Sequence, residues 1–227
     1  MLFKNKKYFN FLFIVFLFIQ VVFISCMFTS CSGSLSDSQV YNQSITKVVE
    51  IRTTNNNVDY SYASGCFVDK NRIVTNKHVV YNSTTSQNWL HVEYRKYNET
   101  NYTEANIEKV YSNVDLATLS VTVENSYFKI NKESNVADYC YSIGNPNNLG
   151  LSFNSGIISA FSNITVDGFT NKMIQTNIPL NHGNSGGALI NNKGQLIGIT
   201  TLRLKDINAD LLQGLSYSIP VSIFRLN

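Results

Sequence analysis

The stretch Leu180-Asn181-His182-Gly183-Asn184-Ser185-Gly186-Gly187-Ala188-Leu189-Ile190 decides how this chain is read. A serine sits among small residues, and an apolar run follows that turns at Asn191-Asn192-Lys193-Gly194. A side chain exposed for attack, with an anion site beside it, needs the backbone to come close to the reacting group. Glycine permits that approach because it lacks a Cβ and tolerates positive φ. If Gly183 and Ser185 aim their backbone N–H groups at one point, they form an oxyanion hole beside the Ser185 hydroxyl. A glycine-rich turn carrying a solvent-facing serine has the same local composition. The rest of the chain must therefore supply a base and an orienting acid.

Three histidines are candidates for the base: His78, His91 and His182. A serine hydroxyl is a weak nucleophile at neutral pH, so a neutral imidazole within reach has to take its proton. His78 follows the strand-like run Arg72-Ile73-Val74-Thr75-Asn76. His91 alternates with Trp89 and Glu93 as strand residues do and reads as structural. His182 shares the loop of Ser185 and is a candidate for lining a substrate cleft. The acid candidate is Asp115, in Asn113-Val114-Asp115-Leu116-Ala117-Thr118-Leu119. A carboxylate opening an apolar strand needs hydrogen bonds, and a histidine N–H is a suitable donor. It would hold the imidazole tautomer and stabilise the imidazolium without taking the proton itself. Asp59, Asp69, Asp138 and Asp167 lie in or near turns and are weaker candidates.

From Ile45 onward, short β-branched runs alternate with polar turns, which is the pattern of an all-β sandwich or barrel. Strands are expected at 45–51, 60–68, 72–76, 89–94, 105–111, 116–121, 139–143, 152–161, 173–177, 187–190, 195–200 and 215–219. Residues 82–88 and 97–102 read as polar surface loops. The gap between Ser120 and Ala137 is the best place for a linker between two barrels. No long amphipathic helix is visible, which disfavours parallel α/β architectures.

The order His78, Asp115, Ser185 is the chymotrypsin-type order. The motifs around these residues carry a resemblance. Thr75-Asn76-Lys77-His78-Val79, Val114-Asp115-Leu116-Ala117-Thr118-Leu119 and Gly183-Asn184-Ser185-Gly186-Gly187 are similar to the three catalytic elements of trypsin-like serine peptidases of the HtrA (DegP-like) group. Ile143-Gly144-Asn145-Pro146, Gln175-Thr176-Asn177 and Gly214-Leu215-Ser216-Tyr217-Ser218-Ile219-Pro220 match further family segments in order. The resemblance covers Ile45 to Phe224. It implies two six-stranded antiparallel β-barrels, at about 45–125 and 137–220, within a peptidase domain over 45–227, plus a short C-terminal helical turn. It implies a serine endopeptidase acting through an acyl-enzyme, with Ser185 as nucleophile, His78 as base, Asp115 as orienting acid, and Gly183 and Ser185 as oxyanion donors. No PDZ domain is expected after Pro220. Asn184 stands where digestive relatives carry an aspartate that pairs with a new N-terminus, so no zymogen step of that type is expected. By the family's layout Pro179, Thr200, Thr201 and Leu202 wall the S1 pocket, and a medium, uncharged P1 residue is expected. A catalytically silent binding or chaperone-like module is the rival reading, since a fold does not dictate activity.

The first 31 residues read as something other than this domain. Lys4, Lys6 and Lys7 precede the nearly uninterrupted apolar run Phe11 to Phe28, as in a secretory leader or a membrane anchor. Two endings fit. A lipoprotein-like site places Cys31, or else Cys26, at a lipidated N-terminus, and an uncleaved anchor leaves the run in place. Both put the domain outside the cytoplasm and tie it to a membrane, with secretion after cleavage the remaining option. Residues 32–44 read as a flexible tether. HtrA relatives often trimerise through N-terminal segments, and 32–44 shows no apolar patch for that purpose. The net charge of +3 comes from the three leader lysines, so nothing here attracts nucleic acid. The expected partners are protein or peptide substrates. Cys66 and Cys140 remain beyond the leader, as an exported disulfide or as two buried thiols. No Cys/His metal spacing occurs, and no cofactor is expected.

Overall fold

Alternate residues on one strand face two different apolar layers, and this explains β-branched runs with no polar stripe. In β1 (Val48–Thr54) Val48 packs in one cluster while Val49 and Ile51 pack in another. In β2 (Ser61–Asp69) Cys66 and Val68 join the first cluster, and Ala63 and Phe67 the second. A strand buried on both faces loses the polar half of the period-two pattern. The computed structural model describes residues 15–16, 35–82, 85–166, 168–205 and 211–223. Cys26 and Cys31, the expected lipidation candidates, lie outside the described residues. All strands belong to the unit Leu35–Asn227, distinct from Met1–Ser34.

The first sheet continues with β3 (Arg72–Thr75), helix α1 (Asp37–Ser44) standing before it in the chain and a one-turn helix α2 (Lys77–Val80) after it. Two-residue strands β4 (Tyr81–Asn82) and β5 (Gln87–Asn88) pair with each other beside it. The chain then adds β6 (His91–Lys96), β7 (Thr103–Glu104), β8 (Asn106–Val110) and β9 (Ala117–Ser120). The strand order is β7-β6-β1-β2-β3-β9-β8, seven strands rather than the six expected, because the short β7 extends the edge. The second sheet closes on itself. β10 (Tyr139–Gly144), β11 (Ser152–Val166), β12 (Phe169–Thr176), β13 (Ala188–Asn191), β14 (Leu196–Lys205) and β15 (Leu211–Pro220) form a barrel in the order β10-β11-β12-β15-β14-β13. Closure leaves no unpaired edge.

Three apolar clusters result. One fills the first sheet, one the closed barrel (Cys140, Ile158, Ile174, Ile178, Leu189, Ile197), and the third joins the two. The shared cluster takes Val48, Cys66 and Val74 from the first sheet and Tyr141, Ile143, Ala188 and Ile199 from the barrel. Fully burying such a side chain stabilises by about 1.5–3 kcal/mol. The connection after β9 is pinned to both sides. Phe128 N–H donates to Phe67 C=O, and Leu196 N–H donates to Lys129 C=O.

One expectation needs correction, and one open alternative closes. Asp37–Ser44 is not a tether but helix α1, opened by a capping box in which Ser36 and Gln39 satisfy each other's backbone N–H groups. Such reciprocal capping is a strong helix start. Val40 is fully buried in the shared cluster, the Tyr141 hydroxyl donates to Asp37, and Tyr41 packs edge-on to Phe153. Polar composition hid one buried valine and one aromatic. Cys66 and Cys140 are free and lie in different clusters, so no disulfide joins them. Burial pushes both thiols up, Cys140 to about 12. At the end of the chain, Ile223 N–H donates to Pro220 C=O, giving a single turn, and residues 224–227 lie outside the described set.

Candidate active site

Asp115 sits in the loop between β8 and β9, and its carboxylate collects three donors. His78 Nδ1 lies 2.8 Å from Oδ2, and the His78 backbone N–H donates to Oδ1 at 3.0 Å. The Thr201 hydroxyl donates to Oδ2 at 2.8 Å. The loop itself is tied down by Asn76 Nδ2, which donates to the Asp115 carbonyl at 2.9 Å. Helix α2 supplies His78 directly after β3, so the imidazole and its own backbone N–H grip one carboxylate. A carboxylate facing Nδ1 fixes the proton there and leaves Nε2 as the acceptor.

Ser185 lies in the loop between β12 and β13. Its hydroxyl donates to the Thr201 carbonyl at 3.1 Å. Thr201, on β14, thus holds the acid through its side chain and the serine through its backbone. The loop is built on two glycines with positive φ, Gly183 at 91° and Gly186 at 84°. A Cβ on Gly183 would run into the Asn145 carbonyl, and one on Gly186 into the Ser64 carbonyl and the Thr75 hydroxyl. Both positions therefore need glycine for space as well as for conformation. Among the described residues, neither the Gly183 nor the Ser185 N–H has a backbone acceptor. Free N–H groups beside a serine hydroxyl are the chemistry of an anion site.

The cleft, of about 320 Å3, brings together His78, His182, Gly183 and Ser185. Its walls include Tyr62 and Ala63 from β2, Val79 from α2, and Trp89. None of these four wall residues was singled out from the sequence, since an aromatic or aliphatic residue on a strand looks the same whether it faces core or cleft. A second, small pocket of about 30 Å3 lies beside Asp115 and Thr201, lined by Val114, Ile164, Phe169 and Met173. The nucleophile does not line it.

The expected specificity residues separate. His182 lines the cleft, whereas Pro179 is exposed and is not among the cleft residues. Thr200 is buried beneath the loop with its hydroxyl on the Asn184 carbonyl, where it braces the loop. Thr201 is committed to Asp115, and Leu202 lies on β14 with its side chain outside the described set. His91 is on β6, 3.7 Å from Glu104, and is not among the cleft's lining residues.

A buried polar group that sequence reading missed stands behind the loop. Glu50 on β1 accepts from Arg95 at 2.7 Å and from Asn145 Nδ2 at 3.0 Å. The bond to Glu50 raises the Arg95 guanidinium further, against the opposing effect of burial. Burial, with Glu50 adding to it, pushes the neighbouring Tyr102 phenol up to about 12 and keeps it neutral. A carboxylate inside the β-branched run Val48-Val49-Glu50-Ile51 was the available signal.

The trypsin-like peptidase domain profile matches residues 63–199, which is most of the chain and contains all three candidate residues. The chain belongs to the trypsin-like peptidase family. It is similar to the serine endoprotease DegS of Haemophilus influenzae, 36% identical over 166 residues that make up 70% of this chain and 47% of the relative. It is 34% identical over 163 residues to the periplasmic serine endoprotease DegP of Escherichia coli, covering 69% of this chain and 32% of DegP. Among solved structures, the HtrA-type protease AlgW with a tripeptide superposes with a TM-score of 0.71 at 27% identity, over 83% of this chain and 61% of that one. The chain thus spans about half, or less, of the length of these curated relatives. In the trypsin-like family the barrel pair is the expected scaffold, and the seven-stranded sheet and closed barrel are its form here.

Proposed function

We propose that this chain is an extracytoplasmic serine endopeptidase that cleaves peptide bonds through an acyl-enzyme. The observation that carries the reading is the Asp115 carboxylate on His78 Nδ1, with His78 and Ser185 lining one cleft and the Ser185 hydroxyl resting on the Thr201 carbonyl, from which it must turn to reach His78. Ser185 Oγ attacks the scissile carbonyl carbon, and His78 Nε2 takes its proton. The imidazolium is stabilised by Asp115, and the negative oxygen is held by the N–H groups of Gly183 and Ser185. Collapse expels the amine, which receives the proton from His78. Water, deprotonated by the same imidazole, adds to the acyl carbonyl, and the imidazolium returns the proton to Ser185 Oγ as the acid product leaves. The periplasmic naming of DegP and the lysine-led apolar run before residue 31 support a location outside the cytoplasm, tied to the membrane through the N-terminus by an uncleaved anchor or by a lipidated Cys31 or Cys26. The tripeptide in the AlgW structure supports peptide substrates.

The test is labelling of the purified chain with a fluorophosphonate probe, beside Ser185→Ala. Labelling that disappears in the mutant is the expected result. A folded chain that stays unlabelled across neutral pH would sink the proposal in favour of a silent binding module.

A further inference from the structure

The orientation of one peptide unit decides whether an oxyanion hole exists. A peptide is planar and trans, so its C=O and the next N–H point in opposite directions. The His182 carbonyl accepts from Asn147 N–H at 2.7 Å. That bond turns the Gly183 N–H away from Asn147, and Gly183 itself lines the cleft. The following peptide is clamped too, because the Ser64 hydroxyl donates to the Gly183 carbonyl at 2.7 Å. Ser64 N–H donates to the Ser185 carbonyl at 2.8 Å. Three loop residues, His182, Gly183 and Ser185, are therefore gripped by two residues outside the loop, Ser64 and Asn147.

Both grips lead back to Asn145 and Glu50. Asn145 N–H donates to the Ser64 hydroxyl at 2.8 Å, which directs that hydroxyl's own proton to Gly183. The Asn145 side chain accepts from Gly150 N–H at 2.9 Å and so closes the turn that carries Asn147. In that turn Asn147 and Asn148 both have positive φ, at 53° and 57°. Such backbone persists where the surroundings over-determine it. Asn145 has no exposure and Glu50 is 6% exposed, and Arg95 compensates the carboxylate.

We propose that Glu50, Asn145 and Ser64 are positioning residues that set the Gly183 peptide for oxyanion binding, coupling the first sheet to the loop of the second. This rests on the serine-peptidase reading above. The relay makes no contact with substrate. Its loss slows acylation without removing active sites.

The experiment is a stopped-flow burst with 4-nitrophenyl acetate on the full chain, its Ser64→Ala and Glu50→Gln variants, and Ser185→Ala as background. This small ester makes no use of peptide subsites. Removing one oxyanion donor costs about 100- to 1000-fold in acylation. A misdirected donor should cost less, so Ser64→Ala is expected to lower the burst rate constant about 10- to 100-fold and keep its amplitude. Glu50→Gln, nearly isosteric, is expected to lower it about tenfold. A folded variant with full amplitude and unchanged rate constant overturns the inference. So does a reduced amplitude at the wild-type rate constant, which would mean a structural role alone. If Ser64→Ala does not fold, Glu50→Gln decides by the same criteria. Failure of the unsubstituted chain to give any Ser185-dependent burst would remove the peptidase reading and this inference together.

Discussion

Replacing Thr201 by valine removes one hydroxyl and changes almost nothing else. Valine keeps the β-branched shape on β14, and the backbone carbonyl that receives Ser185 stays in place. What disappears is the 2.8 Å bond to Asp115 Oδ2. Thr201 is buried, at 7% exposure. A hydrogen bond to a charged group contributes about 1.5–3 kcal/mol. Were all of that felt only in the transition state, kcat would fall about 10- to 150-fold. Part of it is felt in the ground state, because His78 Nδ1 and the His78 backbone N–H still hold the carboxylate. The expected outcome is a fall in kcat of about tenfold with KM held, and a melting temperature lower by about 2–4 °C per kcal/mol lost. Steady-state cleavage of unfolded casein, with scanning calorimetry alongside, measures both. If Thr201 were instead a wall of the S1 pocket, KM would move and kcat would not. That result would refute the role assigned to Thr201 here.

Gly183→Ala places a methyl group against the Asn145 carbonyl at a φ of 91°. Acylation should fall by at least about 100-fold, while binding of a product peptide, read by fluorescence titration, stays near wild type. Val40→Asp buries a charge where α1 meets the shared cluster. It should cost about 3 kcal/mol or more, and a melting curve unchanged from wild type would return residues 37–44 to the status of a tether. In a chain with Cys26 and Cys31 replaced by serine, Ellman's reagent at pH 8 should find no native thiol and two after unfolding, because burial raises both thiols. No thiol in denaturant without reductant would mean a disulfide after all.

The strands were legible because their apolar runs are bounded by polar turns, and nearly every expected run from Ile45 to Ile219 has a counterpart in the structure. The lengths were not. β11 and β12 reach out to Val166 and Phe169, well beyond the expected ends, because the paired residues Asn163↔Lys172 and Thr165↔Thr170 are polar and show no burial pattern. Helix α1 failed for a related reason. Its eight residues offer Val40 and Tyr41 as apolar contacts, too few for a periodic signal, and its start depends on the side chains of Ser36 and Gln39 meeting.

The candidate triad could be found because each member carries a local demand that the sequence must meet. Ser185 needs glycines that no other residue can replace, and Asp115 needs donors at the mouth of an apolar strand. Glu50, Ser64 and Asn145 have no such local demand. Ser64 is an ordinary strand serine until Gly183, far along the chain, is set 2.7 Å from its hydroxyl. Asn145 ends one strand of the barrel, and Glu50 interrupts a run in the first sheet. Their contact exists only because the shared cluster presses β1 and β10 together, with Val48 on one side and Tyr141 and Ile143 on the other. Arg95 neutralises the Glu50 carboxylate from within the first sheet, and Asn145 adds a hydrogen bond to it once the sheets meet. Packing between the sheets and order in the Gly183 loop are therefore one problem, and a cavity cut into the shared cluster should loosen both. Ile143→Ala tests this directly, with an expected loss of 2–5 kcal/mol. It should slow the ester burst at temperatures where the chain is still folded, whereas Ile51→Ala, in the first-sheet cluster, should lower stability comparably and leave the burst rate constant alone. Equal effects of the two on the rate constant would break the link between the seam and the loop.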